Sequence, residues 1–468
     1  FTTIFISQLL LYIEFYYFRD IFYNNSITLN LGFKTLNLSC DLPIIWFNLK
    51  YLFLLLSFLS KLIILYTLFP SHTQNKNKTL KKQASLNELH LNLGKDSHNA
   101  LVFIPEKGLF QNILITGAIG SGKTSSAMYP ITEQLIAYKS SNSSEKLGML
   151  ILDVKGNYIY QVLKYAKLYN REDDIIPIQI SGNFNYNPLD NISLKPSVLA
   201  NRLKTILLLF SPNNTESYWI DKSESVLSEA IKLCRLYNNG YVTFQELHNI
   251  ITSHDYYSEK VNFLRQQFIE GKFSNTDTYN LLSALNFFEK EFFCLDSRTF
   301  NILKSEITRI TTCFISDPEV LKTFCPKRSD NNFPGFQNII KNGKIVILNM
   351  NINEYKNLSK IIAAYLKLDF QTEVLRRLAN NLSPLHPVAF ISDEYSEYVS
   401  ATDANFFSQS RESKCINIVS TQGYTSLLNA LNNKYSVEVI VQNLVNKLWF
   451  RSDDIFTIED AQKQLRKS

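Results

Sequence analysis

The chain has 468 residues and 45% of them are hydrophobic, which is enough for the cores of two or three domains and too much for a disordered protein. Its formal charge of +6, from 48 basic and 42 acidic residues, is too small at this length to establish a polyanionic partner, though it permits one. Six cysteines (Cys40, Cys234, Cys294, Cys313, Cys325, Cys415) lie far apart with no C-x-x-C pair. They indicate neither a zinc site nor a disulfide framework, and suit a reducing cytoplasm.

The chain opens on Phe1 rather than Met and reads as a fragment or processed form. Two apolar stretches come first, Phe1 to Phe18 interrupted by Glu14, and Ile44 to Phe69 interrupted by Lys50 and Lys61. Each approaches the roughly 20 residues that a bilayer demands, which predicts two transmembrane helices with a short loop over residues 1–70. Lys76, Lys78, Lys81 and Lys82 follow in a basic linker, residues 71–100. The positive-inside bias then puts the remainder in the cytoplasm. The expected location is the cell inner (plasma) membrane, multi-pass, with cytoplasmic C-terminal domains.

Residues 117 to 124 read Gly-Ala-Ile-Gly-Ser-Gly-Lys-Thr, entered by the apolar run Ile113-Leu114-Ile115. This is a complete phosphate-binding loop. Gly117, Gly120 and Gly122 let the backbone curl so that its N–H groups, Ser121 included, point at the phosphates; Lys123 neutralises β/γ oxygens and the Thr124 hydroxyl ligates Mg²⁺. The expected ligands are ATP and Mg²⁺. Around the loop, residues 101–194 alternate strand and helix signals: Ile113–Thr116, Thr124–Tyr138, Met149–Val154, Tyr158–Tyr169, Ile175–Ile180. That order predicts an α/β domain with a parallel sheet.

Residues 195–335 change character, with apolar residues at helical spacing and sparse strand signals, and predict an all-α insertion. Strand signals return over residues 336–468, at Lys344–Asn349, Val388–Ser392, Cys415–Ser420 and Lys447–Arg451, with a long helix over Ser359–Arg377. The sheet is therefore discontinuous in sequence, closed around its insertion.

A phosphate loop needs a partner strand ending in an acid for the Mg²⁺ shell, commonly followed by a glutamate that polarises the attacking water. Val388-Ala389-Phe390-Ile391-Ser392-Asp393-Glu394 supplies both, so Asp393 is assigned to the metal and Glu394 to general base. Asp153 closes another apolar run without a second acid and is read as a secondary polar contact on a neighbouring strand. Loop and acid pair are expected to meet across adjoining strands. Gln422, closing Ile416–Ser420, would face the γ-phosphate if that strand lies beside the one carrying Asp393. Sequence alone does not place Arg411.

Taken together these residues resemble the coupling proteins of type IV secretion and conjugation systems, the inner-membrane ring ATPases of the TraG/TraD kind. The resemblance rests on the loop, on Asp153-Val154-Lys155-Gly156, on Tyr186-Asn187-Pro188-Leu189-Asp190, on Pro130, on the acid pair, and on Ser410-Arg411-Glu412 followed by Ser420-Thr421-Gln422. It implies a RecA-like sheet carrying an all-α domain, with Arg411 completing a neighbour's site in a homo-hexamer and Gln422 sensing the γ-phosphate. It also implies single-stranded DNA bound without sequence preference, a relaxase or effector protein, and type IV secretion channel components as partners. Val154 departs from the family's proline, and the variable C-terminal tail is expected to be missing after Ser468. Two other readings stand beside it: a duplex-DNA pump of the FtsK/HerA kind, and a docking receptor that binds nucleotide without hydrolysis.

Overall fold

The computed structural model describes residues 26–30, 35–39, 89–210, 217–379 and 385–466. The chain divides into two compact units, Phe1–Ser85 and Leu86–Ser468. In the first, strands β1 (Ser26–Asn30) and β2 (Thr35–Ser39) pair antiparallel, where the sequence reading has only a loop.

The multi-pass membrane placement is corrected. Both apolar stretches lie outside the described residues, and no helix among those described is long and apolar enough to cross a membrane. The long helix Ile352–Ala379 illustrates why: it carries Lys360, Lys367, Asp369, Glu373, Arg376 and Arg377 along its length. Charges at that density are expensive in hydrocarbon.

The second unit is built on seven strands: β5 (Ile113–Thr116), β6 (Gly148–Leu152), β7 (Ile175–Ile178), β8 (Ile345–Leu348), β9 (Val388–Ser392), β10 (Cys415–Thr421) and β11 (Asn446–Trp449). They form one sheet in the order β11-β5-β10-β9-β6-β8-β7, and every pairing is parallel. A parallel sheet is covered on both faces, so its strands are apolar at nearly every position, and alternate residues serve different cores. Leu114, Leu150, Leu152, Ile176, Val346, Phe390 and Val419 pack into one core. Ile113, Ile115, Met149, Ile151, Ile345, Ile391 and Ile418 pack into the other. Ahead of the sheet, β3 (His90–Lys95) and β4 (Leu101–Pro105) form an antiparallel pair, so β3 falls inside the stretch read as linker.

Helices follow the strands as crossovers. After a one-turn helix α1 (Glu106–Leu109), the segment beyond the phosphate loop makes one π-type turn (Thr124–Met128) and continues as α2 (Tyr129–Ala137), with Pro130 where a helix start tolerates proline. Next comes α3 (Tyr158–Leu168). Between β7 and β8 every longer element is helical: α4 (Pro196–Leu209), α5 (Ser217–Tyr237), α6 (Phe244–Thr252), α7 (His254–Ile269), α8 (Asn275–Phe287), α9 (Ser297–Ile315), α10 (Pro318–Phe324) and α11 (Gly335–Lys341). Local chemistry starts these helices, because Thr243, Ser253, Ser274, Asp296 and Asp317 each accept a backbone N–H from the first turn that follows. The core on this side runs without a break from the sheet into these helices.

The Tyr186–Asp190 segment sits where the chain leaves the sheet for the helical region. Asn187 is buried and donates to Val242 O at 2.8 Å, while Tyr186 donates to the Asp369 carboxylate at 2.9 Å. The returning chain is tied to it by Asn331 donating to Asp190 at 2.6 Å. The remaining helices are α12 (Ile352–Ala379), broken by a positive φ at Lys356, then α13 (Asp403–Gln409), α14 (Tyr424–Leu431), α15 (Lys434–Asn443) and α16 (Ile455–Leu465).

At the N-terminal edge of β6, β8 and β7, Asp174 accepts from Lys146 (2.7 Å), Arg171 (2.9 Å) and Lys344 (3.1 Å), one basic group standing just before each strand. Burial alone would raise the Asp174 carboxyl, but these partners outweigh it and hold it below its ordinary value.

Candidate functional site

All strands run the same way, so the segments leaving their C-terminal ends converge on one edge of the sheet, where ligands of open α/β folds bind. Here they enclose a cleft of about 510 Å³, lined by Ala118 to Ser125, Tyr129, Lys155, Asn157, Asp393, Glu394 and Gln422. Each arrives from a different strand end: the loop from β5, Lys155 and Asn157 from β6, the acid pair from β9, and Gln422 from β10.

The loop has the shape its glycines allow. Gly120 and Gly122 take φ of +75° and +91°, in the region that favours glycine. A Cβ at Gly117 would stand 2.5 Å from Phe450 Cβ and 2.7 Å from Ser121 Oγ, so the chain after β11 presses directly on the loop. Ala118 N–H donates to Arg451 O at 2.7 Å and fixes that contact. The Lys123 ammonium is buried and donates to Gly117 O at 2.5 Å and Ala118 O at 3.4 Å. The Ser121 hydroxyl is buried and has no partner among the described residues. A buried ammonium held by carbonyls and an unsatisfied hydroxyl, on a glycine-rich turn that opens a helix, fit a bound phosphate.

Thr124 Oγ1 donates to Asp393 Oδ2 at 3.0 Å. Asp393 also accepts from Ser420, at the end of β10, and its own N–H donates to Leu152 O at 3.0 Å. A hydroxyl and a carboxylate facing one another are the pair that hard, octahedral Mg²⁺ takes alongside phosphate oxygens and water. The expectation of adjoining strands is corrected here, because β10 lies between β5 and β9. Contact survives that separation because Thr124 sits on the helical turn overhanging the strand ends rather than in a strand. Gln422 therefore has the neighbour it needed: β10 pairs with β9, and its side-chain nitrogen stands 3.5 Å from the Glu394 carboxylate.

Glu394 follows with φ 48° and ψ 49°, a left-handed conformation uncommon for a residue with a Cβ. The next turns hold it there. Tyr395 donates to Asp403 at 2.6 Å, and Asp403 is wholly buried against Lys367 at 2.6 Å. Lys367 also donates to Tyr398 O at 2.6 Å and Ser400 at 3.0 Å, and Gln371 donates to Asp403 at 3.0 Å. Removing one member of such a buried pair costs about 3 to 5 kcal/mol, so these contacts tie the loop behind Glu394 to two helices.

Asp153 and Arg411 do not line the cleft of this chain, although Asp153 follows the strand next to β9, as read from the sequence. The Asp153 carboxylate turns back on its own chain and accepts the N–H groups of Lys155 (3.1 Å), Asn157 (2.9 Å) and Tyr158 (3.0 Å). It caps α3 rather than reaching the cleft, and burial pushes its carboxyl up against those bonds, as does nearby Asp393. Arg411 is exposed in the turn before β10, at the opposite end of the parallel strands from the phosphate loop, so it contributes nothing to the cleft of its own chain. Lys155, quoted in the sequence only as part of the Asp153–Gly156 motif and given no role there, lies in the cleft, as does Asn157, which was not singled out; their place at a strand end beside Asp153 was the available signal.

A phosphate loop, an acid pair and a polar strand end gathered at one edge of a seven-stranded parallel sheet define a RecA-like P-loop nucleotide-binding fold. No protein-family model and no curated protein sequence matches the chain. Among solved structures it is similar to the bacterial conjugative coupling protein TrwB in complex with sulphate (TM-score 0.51, 13% identity, 74% of this chain and 71% of that one). It is similar too to the plasmid coupling protein TrwB in complex with ADP and Mg²⁺ (TM-score 0.50, 12% identity, 76% and 72%). VirB4 of Thermoanaerobacter pseudethanolicus also matches, at TM-score 0.49 and 15% identity over 81% and 88%. The resemblance to coupling proteins carried by the sequence motifs thus extends to the fold.

Proposed function

We infer that the chain is an ATP-hydrolysing motor of a type IV secretion or conjugation system, passing single-stranded DNA with its bound relaxase, or an effector protein, to the secretion channel. The observation that carries the hydrolytic part is the 3.0 Å contact between Thr124 and Asp393, with Glu394 next in sequence and Gln422 beside it. Lys123 and the loop bind and orient the β- and γ-phosphates, and Thr124 and Asp393 would hold Mg²⁺, which when bound would supply neutralising charge to the transferred group. Glu394 takes a proton from the attacking water. Gln422, joined to α14 through Gly423, carries the state of the γ-phosphate outward.

The transport part is supported by the fold likeness to the TrwB coupling protein and by the Asp153–Gly156 and Tyr186–Asp190 motifs. The position of Arg411, remote from its own cleft, suits a homo-hexamer in which each arginine serves a neighbour. Residues 195–335 carry equal numbers of basic and acidic side chains, so their overall charge gives no strong field for phosphates. DNA contact then falls to local lysines or to the sheet domain.

Phosphate release by the full chain with Mg²⁺ and ATP, measured alone and with single-stranded or duplex DNA, tests this function. Hydrolysis stimulated by single strands is expected. A strong duplex preference would favour a pump of the FtsK/HerA kind, and nucleotide binding without phosphate release would leave a docking receptor.

A further inference from the structure

We propose that Lys155 is a catalytic residue of this same site, a cation contributed by the chain itself that stabilises the charge developing on the transferred phosphoryl group. The inference rests on the hydrolytic reading above. Three observations carry it. Lys155 lines the cleft together with the phosphate loop, and among the described residues it has no ion-pair partner. Its loop is fixed in place: the Asp153 carboxylate gathers the N–H groups of Lys155, Asn157 and Tyr158, Ile352 N–H donates to Val154 O at 3.0 Å, and Gly156 at φ +71° packs on Asn351. Finally, β6 pairs directly with β9, so the Lys155 loop leaves the sheet beside the acid pair.

That last point decides which part of a nucleotide Lys155 meets. The β-phosphate belongs to the loop after β5, two strands beyond Asp393 in the sheet order. Lys155, an exposed side chain on the loop that follows the strand beside β9, reaches the cleft from the side of the acid pair, where the attacking water and the γ-phosphate would meet. Phosphoryl transfer spreads negative charge over the equatorial oxygens of that group, so a cation there acts more strongly on the transition state than on bound ATP. The water's oxygen bonds to phosphorus while the bond to the β–γ bridging oxygen breaks, Glu394 receives the water's proton, and ADP departs with the bridging electron pair. Lys155 transfers no proton in this scheme; its role is electrostatic.

The test compares the wild-type chain with Lys155→Met and Lys155→Arg. For each, ATP affinity, steady-state phosphate release, and the affinity for ADP with aluminium fluoride relative to ADP alone are measured. Lys155→Met should bind ATP within about threefold of wild type yet turn over about a hundredfold more slowly and lose its preference for the fluoride complex, with Lys155→Arg recovering part of both. Unchanged turnover and unchanged fluoride preference in Lys155→Met would overturn the proposal while leaving the hydrolytic reading intact. Loss of ATP binding in a Lys155→Met chain whose thermal unfolding is unaltered would overturn it as well, making Lys155 a ground-state contact. Absence of hydrolysis in the wild type would instead remove the reading on which the proposal rests.

Discussion

Thr124 and Asp393 are 269 positions apart and share a hydrogen bond of 3.0 Å, Thr124 donating across the end of β10. The bond joins the phosphate loop to the acid strand and sets where a divalent cation is held. Asp393→Asn keeps an acceptor for Thr124 and removes the charge the metal needs. Its expected phenotype is Mg²⁺-dependent ATP affinity weakened by about tenfold or more with little change in the metal-free state. Titrating nucleotide with and without EDTA checks it; equal Mg²⁺ dependence in the two chains would contradict it.

Glu394 occupies a left-handed backbone conformation that a glycine would adopt without strain. Glu394→Gly is expected to lose hydrolysis and yet stay as stable as wild type or gain up to about 1 kcal/mol, since strain relief offsets the larger entropy of the unfolded glycine. Urea unfolding beside a turnover assay measures both. A loss of more than about 2 kcal/mol would show that the conformation is not strained.

Asp174 predicts a pH dependence. Its carboxyl is held below the ordinary value by Lys146, Arg171 and Lys344 despite burial, so its contribution is fully present above the unfolded pKa near 4 and is lost as pH falls through the folded value. Asp174→Asn should therefore be less stable by about 3 kcal/mol at pH 7, with the gap to wild type closing as the pH is lowered below about 4. Denaturation midpoints between pH 7 and pH 2 provide the comparison. Parallel curves would contradict the assignment.

The parts of this site that were legible in the sequence are those fixed by local chemistry. Gly117 to Thr124 must curl as they do because their residue types permit little else, and the apolar run ending in Asp393 and Glu394 marks a strand with acids at its mouth. What tertiary structure decides was not legible. Strand order is one case: nothing local to Cys415–Thr421 says that it inserts between β5 and β9. The direction of a side chain is another. Asp153 ends an apolar strand just as Asp393 does, but the backbone N–H groups of Asn157 and Tyr158 compete for its carboxylate and turn it away from the cleft. The network of Lys367 and Asp403 behind Glu394 joins two helices whose sequences carry no sign of the pairing. The strand at His90–Lys95, within a stretch read as linker, reflects the weak signal of a short two-stranded edge.

The most direct measurement is phosphate release by the full chain and by Glu394→Gln, each with saturating ATP and Mg²⁺, alongside equilibrium ATP binding. Wild type is expected to hydrolyse, and Glu394→Gln to bind ATP normally while releasing phosphate at least about a hundredfold more slowly. A Glu394→Gln chain that turns over at the wild-type rate would contradict the assignment of this cleft as the hydrolytic centre.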